Sequence, residues 1–225
     1  MRVLGIDTSS QRGSVALVDG AAVVCALHHE RPNAHAEELL PLVTRAFAEA
    51  GFEKSSIDKI AVGVGPGSFT GLRVGIALAE GMALGLDRPL VGVGSLRAMA
   101  FAVPASERRT RVAVLDARRE ELFVAAYAAD GKERLPPMAI PRASARTALA
   151  ELLQVTECVF VGALAAELGA DLARYTHPDA DLPHARSVAL LGVALEPDLA
   201  PPAPQYVRDS GATKQELPVF QPGQG

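Results

Sequence analysis

The sequence predicts an α/β protein built as two related lobes, and three observations carry that prediction. From Ile60 onward short apolar strands alternate with helical stretches, the order that produces a parallel layer. A strand ending in an acid, Val3 to Ile6 before Asp7, recurs as Val112 to Leu115 before Asp116. Each acid is followed by a polar turn, a second strand and an Asp-Gly turn, first Asp19-Gly20 and then Asp130-Gly131. A compound pattern repeated in this way marks a duplication rather than chance.

The elements of the first lobe follow from local chemistry. Ser14 to Val18 and Ala22 to Leu27 read as strands joined by the Asp19-Gly20 hairpin. Asn33 is the expected N-cap of a helix running to Ala50, with Leu39, Val43, Ala46, Phe47 and Ala50 on one stripe and Gly51 as the stop. Pro41 lies inside that helix and removes one hydrogen bond. Ile60 to Val64 is a buried-type strand leading into Gly65-Pro66-Gly67-Ser68-Phe69-Thr70-Gly71 and a helix to Leu86. Pro89 to Val93 and a short helix from Ser95 to Ala102 complete the lobe.

The second lobe restarts the pattern with strands at Val112 to Leu115, Leu122 to Ala128 and Glu133 to Met138. A helix over Arg142 to Leu153, a strand at Cys158 to Gly162 and helices around Ala165 and Leu190 follow. The expected division is residues 1–103, residues 104–200 and a Pro-rich tail over 201–225. That tail reads as extended on the surface or partly disordered.

Composition excludes several function classes. The 225 residues carry 22 basic and 26 acidic side chains, a net charge of −4, where a stand-alone nucleic-acid binder shows a basic surplus. Aromatics make up 4% with no Trp, so stacking platforms for single-stranded RNA are scarce. Cys25 and Cys158 sit in separate apolar runs and form no disulfide framework. The N-terminal residues are not expected to form a signal peptide, and no unbroken apolar run reaches the ~18 residues of a membrane span. A soluble, cytoplasmic protein is expected.

Few residues offer chemistry. Asp7, Thr8 and Ser9 at a strand end are able to hold a phosphate and its Mg²⁺, or simply to close a hairpin turn, and the turn is the commoner outcome. The glycine-rich block specifies a tight backbone at a helix N-terminus, yet no Lys follows Gly71, so it is not a P-loop. Gly71, Gly75, Ala79 and Ala83 form a strip of small residues on one side of that helix. The strip serves either internal packing or a partner, and the apolar Leu72, Ile76, Leu78 and Met82 beside it favour a partner. His28, His29, His35, His177 and His184 match no metal-binding spacing, and no nucleophile elbow is present.

Three blocks together, Val3-Leu4-Gly5-Ile6-Asp7-Thr8-Ser9, Gly65 to Gly75 and Asp116-Ala117-Arg118, resemble the TsaB (YeaZ) family. The tail Pro204-Gln205-Tyr206-Val207-Arg208 and Lys214 carry the same resemblance. It implies the two-lobed fold of actin, Hsp70 and sugar kinases. It implies a non-catalytic role in making threonylcarbamoyladenosine next to the anticodon of tRNA. The implied partners are a TsaD-type paralogue and a TsaE-type ATPase, with a homodimer when the chain is alone, tRNA met only through the complex, and no membrane. ATP or ADP and any metal are expected on the partner or at the junction, and none on this chain alone.

Departures from the catalytic paralogue agree with that role. Ser95 and Met99 stand where the resemblance places a metal-binding His pair, and neither replaces an imidazole. The glycine-rich adenosine turn thins to Val161-Gly162-Ala163, and Asp116-Ala117-Arg118 lacks a glycine. Asp7, Thr8, Ser9, Asp116 and Gly162 are thus expected to be remnants of a nucleotide site. Gly71, Gly75, Ala79, Ala83, Leu39 and Val43 are the expected partner interface, so Gly75→Leu should break association without unfolding. The alternatives are a kinase-like or metalloprotease-like enzyme acting on its own.

Overall fold

The computed structural model describes residues 1–31, 33–200 and 202–207. In the first lobe, β1 (Arg2–Asp7), β2 (Gly13–Asp19) and β3 (Ala22–His29) lead into α1 (His35–Ala50). Then come β4 (Lys59–Gly65), α2 (Phe69–Leu86), β5 (Leu90–Gly94) and α3 (Ser95–Phe101). The second lobe contains β6 (Thr110–Arg118), β7 (Glu121–Tyr127), β8 (Glu133–Pro141), α4 (Ala145–Ala148) and α5 (Ala150–Val155). It continues with β9 (Cys158–Val161), β10 (Arg174–Tyr175), α6 (Pro178–Asp181) and α7 (Ala185–Ala194).

The two sheets have the same topology, β3-β2-β1-β4-β5 and β8-β7-β6-β9-β10. In each, the first three strands form an antiparallel meander and the last two add in parallel. The duplication read from Asp7 and Asp116 is therefore present strand for strand.

Period-two alternation divides each sheet between two cores. On the first sheet Leu4, Ile6, Val15 and Leu17 face α1 and α2, meeting Leu39, Val43, Phe47, Leu72 and Ile76. Val3, Ala16, Ala61 and Val91 point the other way and meet Ala185, Val188 and Ala189 of α7. On the second sheet Ala113, Leu115, Ala125 and Val161 meet Leu96, Met99 and Ala100 of α3. Each lobe thus borrows a helix from the other half of the chain. The two sheets part between β5 and β6, while α7 belongs by packing to the first sheet and α3 to the second.

Polar contacts hold that exchange in place. Lys59 on β4, 6% exposed, donates from Nζ to the carbonyls of Gly192 (3.1 Å), Val193 (3.3 Å) and Leu195 (2.7 Å) at the C-terminal end of α7. These are carbonyls a helix end leaves unpaired, and a cation there also meets the negative end of the helix dipole. Lys59→Met keeps the aliphatic stem and removes the three bonds, with an expected loss of about 2 kcal/mol in urea denaturation. An unchanged midpoint would show that water satisfies those carbonyls as well as the lysine does.

Several local expectations differ from the structure. Helix α1 is capped by Ala34 without a side-chain hydrogen bond, while Asn33 takes a left-handed conformation (φ 56°) in the preceding turn. The stretch Arg142 to Leu153 breaks into a 3₁₀ turn, α4 and α5 rather than one helix. Strand β10 and α6 lack the length to show a period in the sequence. Helix α2 spans 18 residues and is apolar enough by length and composition to cross a membrane, although Arg73 and Glu80 interrupt its apolar run. Its Leu72, Ile76, Ala79 and Ala83 lie in the core between α2 and the first sheet.

Candidate functional site

The site is built on the C-terminal ends of β1 and β4. Asp7 ends β1 and is fully buried. Its Oδ1 accepts hydrogen bonds from the Ser9 backbone N–H (3.1 Å) and the Ser9 hydroxyl (2.9 Å). Its Oδ2 has no partner among the described residues and lies against Gly63 so closely that a Cβ there would overlap it. Burial pushes the carboxyl pKa up to about 6, and the two Ser9 bonds offset only part of that.

The turn after β1 is fastened to the glycine-rich loop. Thr8 Oγ1 donates to the Gly71 carbonyl (2.7 Å), and the Ser68 N–H donates to the Ser9 carbonyl (2.7 Å). Ser68 caps α2, its hydroxyl accepting from the Gly71 N–H (3.2 Å). A Cβ at Gly71 would overlap the Thr8 carbonyl oxygen, and one at Gly75 the Thr8 hydroxyl. This close approach explains the small-residue strip. Gly71, Gly75, Ala79 and Ala83 face the turn and the first sheet, and all are buried.

That packing corrects the expected partner interface. Gly71, Gly75, Ala79, Ala83, Leu39 and Val43 form the interior of the first lobe and present nothing to a partner. The exposed side of α2 carries Arg73, Ala77, Gly81 and Leu84 instead, with Leu84 86% exposed. On α1, Leu40 is 54% exposed.

The second lobe repeats the aspartate turn with altered chemistry. Asp116 Oδ1 accepts from the Arg118 N–H (2.9 Å), as Asp7 does from Ser9. Unlike Asp7 it is half-buried and paired with the guanidinium groups of Arg118 (3.3 Å) and Arg142 (3.3 Å). Arg118, Arg119 and Glu120 follow in left-handed conformations (φ 61°, 52° and 59°), each costing about 1–2 kcal/mol in a residue with a Cβ. Gly162 (φ 120°) is explained by packing, because a Cβ would overlap the Val114 carbonyl of β6.

These residues do not fit a metal-bound nucleotide. Asp7 is closed off by Ser9 and Gly63, and Asp116 is already neutralised by two arginines. Ser95 and Met99 are both fully buried, the Ser95 hydroxyl without a partner among the described residues and the Met99 methyl against Gly162. Among the described residues no three His, Cys, Asp or Glu side chains gather in a metal-holding group.

Other contacts had no signal in the sequence, since they join residues far apart in the chain. Arg12, in the turn after β1, donates to the Pro178 carbonyl (2.8 Å) and pairs with Glu30 (2.9 Å), tying the turn to α6. His35 Nε2 lies 2.9 Å from the Ser10 carbonyl, so that nitrogen donates to it, and His35 Nδ1 lies 3.2 Å from His29 Nε2. Residues 202–207 form an extended strap in which the Gln205 N–H donates to the Val64 carbonyl (2.7 Å). Tyr206 and Phe69, each 53% exposed, pack ring to ring at 5.5 Å, with the Arg73 guanidinium 3.9 Å from the Phe69 ring centre. Arg208 and Lys214 of the tail motif lie outside the described residues.

Comparison with known proteins places this geometry. A family model described as TsaD, tRNA N6-adenosine threonylcarbamoyltransferase, matches residues 29–215. The tRNA threonylcarbamoyladenosine biosynthesis protein TsaB of Escherichia coli is 41% identical over 132 residues, 58% of this chain and 56% of that protein. The structure of YeaZ from Pseudomonas aeruginosa superposes with a TM-score of 0.71 at 27% identity, covering 91% of this chain and 99% of that one. The chain belongs to this family, in its TsaB (YeaZ) branch. It spans little more than half the length of the curated relatives it matches. Ethanolamine utilization protein EutJ from Carboxydothermus hydrogenoformans, with a TM-score of 0.60 at 13% identity over 85% of this chain and 90% of that one, shares the fold alone. The actin-like two-lobed architecture expected from the family resemblance is thus the fold of this protein.

Proposed function

We propose that this protein is a non-catalytic partner subunit that binds and activates a TsaD-type transferase in forming threonylcarbamoyladenosine next to the anticodon of tRNA. One observation carries the reading. The places where a catalytic member of the family needs open ligands are closed, with Ser95 and Met99 buried and Asp7 sealed. Membership of the TsaB branch supplies the pathway. ATP or ADP and any metal belong to the partner or its junction with this chain, and a TsaE-type ATPase completes the assembly. Contact with tRNA runs through the complex, which suits a chain of net charge −4 in the cytoplasm.

The partner surface in this reading is the exposed side of α2 with Leu40 of α1. Small side chains at Ala77 and Gly81 let a second helix approach closely, and Leu84 and Leu40 supply apolar area. The same patch serves a homodimer when the partner is absent. Reconstitution tests the role: this protein, TsaD, TsaE and a TsaC-type enzyme with tRNA, ATP, threonine and bicarbonate, then the same mixture without this protein. Undiminished modification in its absence would sink the proposal. Leu84→Asp is expected to abolish co-purification with TsaD while leaving the melting temperature unchanged. ATP hydrolysis by the isolated chain would instead favour the kinase-like alternative.

A further inference from the structure

A cavity beside the end of β5 and the 202–207 strap has no role in the reading above. It encloses about 780 Å³, within the range of sites that hold a small molecule. Both lobes and the strap build it: Arg97 of α3, Tyr127 at the end of β7, Glu133 at the start of β8, and Gln205 and Val207 of the strap. Three polar groups on its wall lack partners. The Arg97 guanidinium, the Tyr127 hydroxyl and the Glu133 carboxylate make no hydrogen bond or ion pair with any described residue.

Arg97 and Glu133 bring opposite charges to the wall, and both act on Tyr127. Tyr127 is only 6% exposed, and burial, then the Glu133 carboxylate, pushes its pKa up to about 12 while Arg97 acts the other way. The phenol is therefore a neutral donor standing within the fields of one negative and one positive side chain. Apolar wall is supplied by Val64, Leu195, Leu199 and Val207. A wall that carries a cation, a carboxylate and a neutral phenol beside apolar surface complements a ligand with both charges and an apolar side chain.

We propose that this cavity binds a small zwitterion of amino-acid type with a large apolar side chain. Its carboxylate is met by Arg97 and the Tyr127 hydroxyl, its ammonium group by Glu133, and its side chain by Leu195 and Val207. A charged pair sharing one bidentate guanidinium and one carboxylate gives orientation as well as attraction. Because the strap is one wall, and its Tyr206 packs on Phe69 of α2, occupancy stabilises the segment that leads to the exposed side of α2.

The test uses the full chain with L-leucine, L-methionine and L-phenylalanine, each compared with its N-acetyl and methyl-ester forms. At least one of the three free amino acids is expected to raise the melting temperature by about 2 °C or more at saturating concentration. Its N-acetyl and ester forms, which each lack one charge, are expected to bind at least about tenfold more weakly in calorimetry, as are Arg97→Met and Glu133→Gln. Arg97 and Glu133 are exposed and unbonded, so both variants are expected to fold with unchanged circular dichroism. No response to any of the three, or equal affinity in Glu133→Gln, would overturn the assignment.

Discussion

Gly71→Ala is expected to destabilise the protein by about 3 kcal/mol, although alanine is the better helix former by about 1 kcal/mol. The added methyl would overlap the Thr8 carbonyl oxygen, which is backbone and fixed on its other side by the buried Asp7–Ser9 turn. Relief requires α2 to move away from β1. That movement breaks the Thr8 Oγ1 bond to the Gly71 carbonyl and opens the packing of Leu72 and Ile76. Gly81 supplies the internal control, since it lies on the same helix and a Cβ there meets nothing within 4 Å. Gly81→Ala is expected to stabilise by about 0.5–1 kcal/mol. Urea denaturation of the two variants should therefore give shifts of opposite sign. A neutral Gly71→Ala would show that the turn and helix are not in the close contact described. The same reasoning makes Gly75→Leu a folding variant, unsuited to reporting on a partner.

The contrast between Gly71 and Gly81 shows how far the sequence could be read. Its strand-Asp-turn-strand-Asp-Gly pattern was legible because alternation and turn chemistry are local, and it led to both sheets. The small-residue strip was legible as a strip, but its direction was not. A run of Gly71, Gly75, Ala79 and Ala83 permits close approach to anything, and only the fold determines that the neighbour is Thr8 rather than another molecule. Helix α7 could be found from its apolar run, yet the choice of sheet rests on Lys59 reaching the carbonyls of Gly192, Val193 and Leu195. The Arg12 bond to Pro178 and the cavity that Arg97 and Tyr127 line together were out of reach for the same reason. No period or motif links residues that meet only after two lobes exchange helices.

Asp7→Asn is expected to stabilise the protein at alkaline pH and to do nothing in acid. The wild-type carboxyl titrates near 3.8 when exposed and at about 6 when folded, so the native state holds the extra proton between those values. Stability is then full below pH 4, falls as pH rises through 6, and by pH 8 carries a penalty of about 3 kcal/mol from this group. Asparagine mimics the protonated acid at every pH. Its oxygen can accept both Ser9 bonds, and its amide faces Gly63 where the acid's proton would otherwise lie. His184, which burial holds down to about 4, adds pH dependence of the opposite sign but is common to both proteins and cancels in the difference. The gap between variant and wild type should therefore open from near zero at pH 4 to about 3 kcal/mol at pH 8. A constant gap would mean that Asp7 is ionised throughout. The variant also separates a structural acid from a ligand, because a neutral amide lacks the negative charge with which a carboxylate holds a metal cation. If the acid only closes the turn, Asp7→Asn supports reconstituted tRNA modification as well as the wild type. If modification is lost while the fold gains stability, the carboxylate acts on a bound cation, and the reading of this turn as closed is wrong.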